Sequence, residues 1–298
     1  MKLRLIACRG VFAGFVLATL LLPAGCSRPP AAEADGEQRY PLTGLVVAAD
    51  AQRQLLRVQH DAIPGLMPAM TMEFAVSADD LAVVKAGHRI RAELVRRGPE
   101  FSLEHLWPDD PDPARTVAAG AAALQQDTVI RGAHAYREVG EPVPDFALYD
   151  QDGRVVQSNR FRGRQVVLNF IFTRCPVPTM CPAATRRMVE LQRQAREAGV
   201  EQVEFVSVTL DPVYDTPGVL HAYAAARGID TRHFSFLTGP EPAIRNLLTQ
   251  MGVIAQLEGG LLRHTLATLL IDETGRIVWR EDGSAWDPAE FVRRMKKE

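Results

Sequence analysis

The chain has 298 residues, a length that suggests about two domains of roughly 100–200 residues each. Its 47% hydrophobic and 23% charged residues are usual for a globular protein and argue against long disorder. The net charge is −2 and the sequence has no basic block. This charge argues against nucleic acid as a partner, because phosphate binding needs concentrated Lys and Arg.

Residues 1–25 have the pattern of an export signal. Lys2 and Arg4 precede an apolar stretch at 11–22, which is too short for a membrane span, and small residues stand directly before Cys26. The segment resembles a bacterial lipoprotein signal, although Pro23 stands where that motif usually has Leu. The resemblance implies cleavage before Cys26, lipidation of Cys26 and a periplasmic protein anchored to a membrane by lipid. An ordinary secretory signal and a retained anchor are the alternatives.

The next two segments are a predicted tether and a predicted β domain. Residues 26–39 are small, polar and proline-bearing, which is typical of a tether. Several short β-rich stretches then follow between residues 40 and 107, and such a series predicts a small antiparallel barrel. The predicted strands are 42–48, 54–59, 70–76, 88–95 and 101–106.

Residues 108–137 begin with a proline-rich stretch and predict a linker with one short helix at 118–126. Strands and helices alternate in residues 138–298, which predicts an α/β domain whose sheet is mixed because of a final hairpin. Its predicted strands are 166–172, 203–208, 234–237, 265–271 and 277–279, and its predicted helices are 183–198, 217–228, 242–251 and one that begins at Asp287.

Two cysteines stand between a buried strand and a helix. By the lipoprotein resemblance, Cys8 leaves with the signal and Cys26 is lipidated, which leaves Cys175 and Cys181 of the four cysteines as thiols. A helix start is expected to stabilise thiolate, the form that attacks disulfides and binds metals. A free pair outside the cytoplasm needs a thiol reductant or a metal to stay unoxidised. A structural disulfide is the alternative.

His264 and Asp211 stand at the ends of predicted strands, which can meet the cysteines at one edge of the sheet. Two thiolates and one imidazole suit Cu(I), a soft ion.

These residues resemble the Sco/SenC family of thioredoxin-fold copper proteins. The resemblance rests on Phe-Thr-Arg-Cys-Pro at 172–176 with Cys181-Pro182, Ser-Val-Thr-Leu-Asp-Pro at 207–212 with Asp-Thr-Pro at 215–217, and His264-Thr265. It implies a thioredoxin-like fold for residues 138–298, copper ligation by Cys175, Cys181 and His264, and a position near the site for Asp211. Copper as Cu(I) is implied, with Cu(II) as a second state at this site.

The chain departs from the Sco/SenC pattern in the spacing of the cysteines. Five residues separate Cys175 from Cys181, where the family usually has three, and Met180 within this loop is a further candidate soft ligand. Family members help to assemble the copper centre of cytochrome oxidase, as metal donors or as thiol reductants.

A second candidate site lies in the first domain. Met70 and Met72 are two residues apart, so on a strand both thioethers face one side. Thioethers suit Cu(I), and His60 can add a nitrogen. The string Pro-Ala-Met-Thr-Met-Glu-Phe at 68–74 resembles the CusF-like periplasmic copper-binding domain, an OB-type barrel. This resemblance implies that His60, Met70 and Met72 bind Cu(I).

CusF places a Trp over the metal, and Met67 stands in that region here as a further ligand or a lid. His88 and His105 are interpreted as non-ligands.

Together the two domains predict an exported, membrane-anchored copper chaperone that delivers Cu(I) to the copper subunit of cytochrome oxidase or another periplasmic copper protein. The enzyme alternative is a thiol-disulfide oxidoreductase in which Cys175 attacks and Cys181 resolves. A further alternative is a periplasmic protein that buffers copper or confers resistance to it.

Overall fold

A computed structural model describes residues 37–132, 135–258 and 261–296. The predicted signal with Cys8, the predicted lipidation site Cys26 and most of the predicted tether therefore lie outside the described residues. Among the described residues, none of the helices combines the length and the apolar composition that a membrane crossing requires.

Five strands close into a barrel in the order β1-β2-β3-β5-β4. The pairs are antiparallel except for β3 with β5, which run parallel and meet only at Ala75 and Ser102. The predicted β-rich region is therefore confirmed, with one parallel contact in place of a wholly antiparallel arrangement. The elements are β1 Gln38–Asp50, β2 Leu55–His60, β3 Met70–Ala75, helix α1 Ala78–Val83, β4 Arg89–Arg97 and β5 Glu100–Pro108.

Alternation of apolar and polar residues decides which side chains enter the barrel. On β2, Leu56, Val58 and His60 are buried, whereas the residues between them are exposed. On β3 the same period places Phe74 inside the barrel. The strand period of two therefore turns His60 toward the barrel interior.

The predicted linker contains a long helix, α2 Pro111–Arg131. Its buried residues are Val117 and Leu124, and it packs against the second domain. Gly120 faces Ala147 so closely that a Cβ at position 120 would lie 2.6 Å from the Cβ of Ala147. The segment is therefore a packed helix rather than a flexible connection, and the predicted helix at 118–126 is only its middle part.

A five-stranded mixed sheet forms the second domain, in the order β10-β9-β8-β13-β14. Strands β8, β9 and β10 are parallel, and β13 and β14 are antiparallel, as the final hairpin predicted. The elements are β6 Ala147–Tyr149, β7 Val155–Gln157, a short 3-10 helix Ser158–Phe161, β8 Gln165–Ile171, α3 Cys181–Glu197, β9 Val203–Thr209, α4 Pro217–Ala226, β10 Phe234–Leu237, α5 Glu241–Gln250, β11 Ala255–Glu258, β12 Leu261–His264, β13 Ala267–Ile271, β14 Ile277–Asp282 and α6 Pro288–Met295.

Two helices of the second domain begin with a side-chain cap. Thr216 accepts a hydrogen bond from the Val219 amide at the start of α4, and Asp287 accepts one from the Ala289 amide at the start of α6. Pro occupies the first helical position in both helices. Since β8 and β9 are parallel, residues 172–175 and 210–216 leave the sheet at the same edge.

Candidate metal centres

Three side chains predicted as metal ligands lie together at this edge. Cys175 follows β8, Cys181 is the first residue of α3 and His264 is the last residue of β12. Their ligand atoms lie within 4.8 Å of one another, and no other group of three His, Cys, Asp or Glu in the described part is arranged in this way. Metal–sulfur bonds of about 2.3 Å place the ligand atoms of a three-coordinate ion about 4 Å apart. Small side-chain movements would therefore close the cluster around one soft ion.

His264 presents its Nε2 atom to the thiols. Nδ1 lies 3.1 Å from the carbonyl oxygen of Thr265, which can only accept, so Nδ1 carries the proton. Nε2 then has the lone pair and lies 3.5 Å from the Sγ of Cys181. Burial lowers the pKa of His264, although the bond to Thr265 opposes this shift. A neutral ring held in one tautomer is the form that binds a metal.

An antiparallel pair of strands that the sequence pattern does not predict positions His264. Strands β11 and β12 pair with each other, and β12 ends at His264. The sheet strand β13 starts at Ala267 and not at Thr265 as predicted. Phe172 holds the imidazole from the side, with ring centroids 5.3 Å apart and planes at 89°.

The two thiols differ in exposure. Cys181 is fully buried, and burial raises its pKa. The expectation that the helix start stabilises a thiolate is therefore wrong for Cys181, because desolvation by burial outweighs the backbone hydrogen bonds that lower its pKa. Cys175 is only partly buried and lines a surface recess together with His264. In the metal-free protein Cys181 keeps its proton, which metal binding must release.

The longer loop between the cysteines is a turn with several fixed points. The Met180 amide donates to the Val177 carbonyl at 3.0 Å, and the Ser284 hydroxyl donates to the Thr179 carbonyl. Met180 packs partly on the domain core and lines the same recess as Cys175. Met180 therefore lies beside the candidate site, and its ligation stays a prediction.

Asp211 lies at the rim of the recess and binds Arg174, with 2.7 Å between its Oδ2 and the Nε of Arg174. Arg174 also stacks over Tyr214 at 4.4 Å from the ring centroid. The Asp211 carboxylate is not part of the three-residue cluster. The ion pair with Asp211 instead fixes Arg174, the residue directly before Cys175, and so stabilises the start of the loop that carries Cys175.

Asp215 is a residue to which the sequence analysis gave no role. It is fully buried and accepts hydrogen bonds from the Thr173 amide and hydroxyl and from the Thr209 hydroxyl. Burial raises its pKa to about 6. Asp215 thereby links Thr209, the last residue of β9, to Thr173, two residues before Cys175. The available signal was an acidic residue directly before the Thr-Pro start of α4.

The barrel brings His60 and Met70 together. They are paired across β2 and β3, and both line one shallow recess. The Nδ1 atom of His60 lies 2.7 Å from the Asp61 carbonyl oxygen, so Nε2 has the lone pair. This Nε2 is buried without a hydrogen-bond partner in the described part. An unsatisfied buried polar atom costs about 1–3 kcal/mol, which a bound metal would offset.

The methionines of the barrel differ in placement. Met70 is 46% exposed, whereas Met72 and Met67 are partly buried and pack against the barrel core. Neither Met72 nor Met67 lines the recess of His60. The two predicted non-ligands, His88 and His105, contact Asp110 and Val213 instead.

A mixed α/β sheet whose edge gathers two thiols and an imidazole defines a thioredoxin-like protein with a candidate soft-metal site. Residues 135–298 match the family model described as SCO1/SenC. The chain belongs to the SCO1/SenC family. Residues 39–108 match the model described as the copper binding periplasmic protein CusF, so the N-terminal part is CusF-like.

Relatives and a solved structure agree with this assignment. The chain is 30% identical over 159 residues to an SCO2-like protein of Rickettsia typhi, covering 50% of this chain and 74% of the relative. It is 33% identical over 97 residues to the SCO1 protein homolog of Bacillus subtilis, covering 33% of this chain and 49% of the relative. A SCO1/SenC family lipoprotein from Bacillus anthracis aligns with a TM-score of 0.50 at 27% identity, covering 55% of this chain and 98% of that one.

Proposed function

We propose that the protein is a periplasmic copper chaperone that binds Cu(I) as its cargo. The cluster of Cys175, Cys181 and His264 is the observation that supports this proposal most directly. Cu(I) prefers thiolate and imidazole over hard oxygen ligands. Binding releases the thiol protons to solvent and leaves the oxidation state unchanged, so that a recipient removes the ion by ligand exchange.

The barrel supplies the second part of the proposal. The buried, unpartnered Nε2 of His60 beside the exposed Met70 offers a weaker site for the same ion. Met72, Met67 and, at the cysteine site, Met180 are further candidate ligands. With the domain limits proposed from the sequence, 40–107 and 138–298, the proposal assigns one copper site to each domain.

Family membership suggests the location and the recipient. We propose lipid attachment at Cys26, in line with the lipoprotein named among the solved structures. The proposed recipient is the copper subunit of cytochrome oxidase or another periplasmic copper protein, as the Sco/SenC resemblance implies.

Copper titration of the full chain in detergent tests the proposal. With a competing Cu(I) chelator we expect two bound ions in the reduced protein. One should remain after Cys175→Ser with Cys181→Ser, and one after His60→Ala with Met70→Leu. His88→Ala is the control and should retain both ions. Two bound ions in the cysteine double variant would overturn the proposal.

A thiol-disulfide oxidoreductase is the second candidate, because a partly exposed Cys175 lies beside a buried Cys181. Cys175 thiolate would attack a target disulfide. Cys181 would then displace the target, leaving a Cys175–Cys181 disulfide and a target reduced by two electrons. Reduction of insulin and a measured reduction potential test this candidate; turnover lost in Cys175→Ser would support it, and no turnover would exclude it.

A further inference from the structure

The barrel is docked beside the cysteine site through two elements. Helix α1 packs on the N-terminal part of α4, and β5 contacts the residues just before α4. A Cβ at Gly218 would lie 2.8 Å from an Asp80 carboxylate oxygen and 2.9 Å from the Asp79 carbonyl oxygen. Only glycine allows the two domains to approach this closely at that position.

His105 leaves the barrel wall at an irregularity of β5. Glu104 pairs with Glu93 and Trp107 with Arg91, so β5 has one residue more than β4 in this interval. His105 takes the left-handed conformation, with φ 54°. Its Nδ1 donates to the carbonyl oxygen of Val213 at 2.9 Å. This bulge in β5 therefore directs the side chain of His105 toward the thioredoxin-like domain.

Val213 belongs to residues 211–216, here called the 211–216 loop, of which Asp211, Pro212 and Val213 line the recess of Cys175. Asp211 forms an ion pair with Arg174, and Asp215 accepts hydrogen bonds from Thr173. Both ends of the loop therefore contact the two residues that precede Cys175. Between these ends the side chain of Val213 is 61% exposed. The bond from His105 therefore reaches the centre of a loop whose ends fix the approach to Cys175.

We propose that His105 is a positioning residue for the cysteine site, through which the docked barrel holds the 211–216 loop and with it Cys175. The copper part of this inference rests on the proposed function, whereas the effect on Cys175 does not. A single hydrogen bond of ordinary strength corresponds to a change of about three- to tenfold in an equilibrium constant.

Substitution of His105 tests the proposal in the full-length chain. His105→Gly removes the side chain without backbone strain, because glycine accepts positive φ. His105→Asn keeps a donor near the position of Nδ1, and Asn also tolerates this conformation. His88→Gly removes another histidine of the barrel and is the matched control.

Two measurements separate positioning from copper binding. The first is the alkylation rate of Cys175 in the reduced, metal-free protein, which we expect to rise about three- to tenfold in His105→Gly. The second is the Cu(I) affinity of the cysteine site, which should fall by a similar factor while that of the barrel site is unchanged. His105→Asn and His88→Gly should match the original protein in both. If the original protein binds no copper, the alkylation rates still decide on positioning.

Gly218→Ala provides an independent variant, because its Cβ would push α1 away from α4. It should reproduce the effect of His105→Gly, and the double variant should add little to either change. Unchanged alkylation of Cys175 in both single variants would overturn the proposal. Equal effects of His105→Gly and His105→Asn would overturn it as well, since the hydrogen bond would then have no part in positioning.

Discussion

Both candidate histidine ligands have their tautomer fixed by the same kind of backbone hydrogen bond. His60 and His264 each donate from Nδ1 to the carbonyl oxygen of the following residue, Asp61 or Thr265. Each ring therefore keeps its lone pair on Nε2, directed away from the backbone bond. A local contact of this kind fixes the tautomer without any second side chain, which explains why neither histidine needs an acidic partner.

The different exposure of the thiols predicts an order of reaction. Iodoacetamide should modify Cys175 at least about ten times faster than Cys181 in the reduced protein, because burial raises the pKa of Cys181 and blocks access to it. Mass spectrometry of the two cysteine peptides over time measures both rates. Equal rates, or faster reaction at Cys181, would show that the buried position described for this thiol is not its position in solution.

Asp80 predicts a pH dependence of stability. Burial raises its pKa to about 6; Asp79 and Glu104 add to the shift, whereas Ser77 and His105 oppose it. The folded state therefore binds this proton more tightly than the unfolded state does. The contribution of Asp80 to stability is greatest below pH 4, near its ordinary pKa, and is lost as the pH rises through about 6.

Asp80→Asn removes this titration. We expect the variant to exceed the original protein in unfolding free energy at pH 8 by at most about 3 kcal/mol, and to differ little at pH 4. Urea unfolding of both proteins at the two pH values measures the difference, with Glu201→Gln, at an exposed position that takes no part in the pKa shift of Asp80, as the control. An Asp80→Asn effect of the same size at both pH values would contradict the assigned protonation.

At the scale of elements, α2 makes the connection between the domains rigid. Gly120 meets Ala147 at a distance that leaves no room for a side chain. Gly120→Val should therefore lower the unfolding free energy by about 1–3 kcal/mol through overpacking. Ala119→Val, at an exposed position of the same helix, should change it little. Thermal unfolding compares the two, and equal melting temperatures would show that α2 is not packed as described.

Strands and helices whose apolar residues recur with a clear period could be predicted from the sequence, whereas those with an unclear apolar pattern could not. The barrel strands and the helices after Thr216 and before Gly199 were visible in alternation and capping. Helix α2 was mostly missed because its apolar side consists of little more than Val117 and Leu124 among alanines and polar residues. Strand β11 alternates but is only four residues long, and β12, Leu-Leu-Arg-His, does not alternate, so the pattern predicts neither strand and instead starts β13 at Thr265.

The site could be predicted in part. Cys175, Cys181 and His264 each stand at an end of a strand or helix, and such ends meet at one edge of a sheet. The roles of Asp215 and His105 could not be predicted in this way. Both depend on contacts between distant segments, with Thr173 and Val213, and no local pattern in the chain encodes those contacts.

At the scale of the whole molecule, the two candidate sites are separate. Only barrel residues line the recess of His60, and only residues of the thioredoxin-like domain line the recess of Cys175. Direct exchange needs ligands of both sites on one ion, at bond lengths of about 2–2.3 Å. Because the two recesses share no residue, we expect exchange within one molecule to require release of the docked barrel, and exchange between two molecules to proceed without it.

We therefore predict that Cu(I) moves from barrel to cysteine site between molecules. Copper loaded on the Cys175→Ser, Cys181→Ser variant should reach the His60→Ala, Met70→Leu variant at a rate proportional to protein concentration. In the unsubstituted chain, the rate at which Cu(I) moves between the two sites should also be proportional to protein concentration. Gly218→Ala, which loosens the docked barrel, should add a phase whose rate does not depend on concentration. A fast, concentration-independent transfer in the unsubstituted chain would contradict this prediction.

The proposed function depends above all on Cys175, Cys181 and His264 binding Cu(I) together. X-ray absorption at the copper edge tests it most directly, in the full chain with the barrel ligands removed by His60→Ala, Met70→Leu and Met72→Leu. We expect one Cu(I) with two sulfur neighbours at about 2.3 Å and one nitrogen at about 2.0 Å. Loss of the nitrogen in His264→Ala should accompany this result. A spectrum with only nitrogen or oxygen neighbours, or no bound copper, would show that these three residues do not form a copper site.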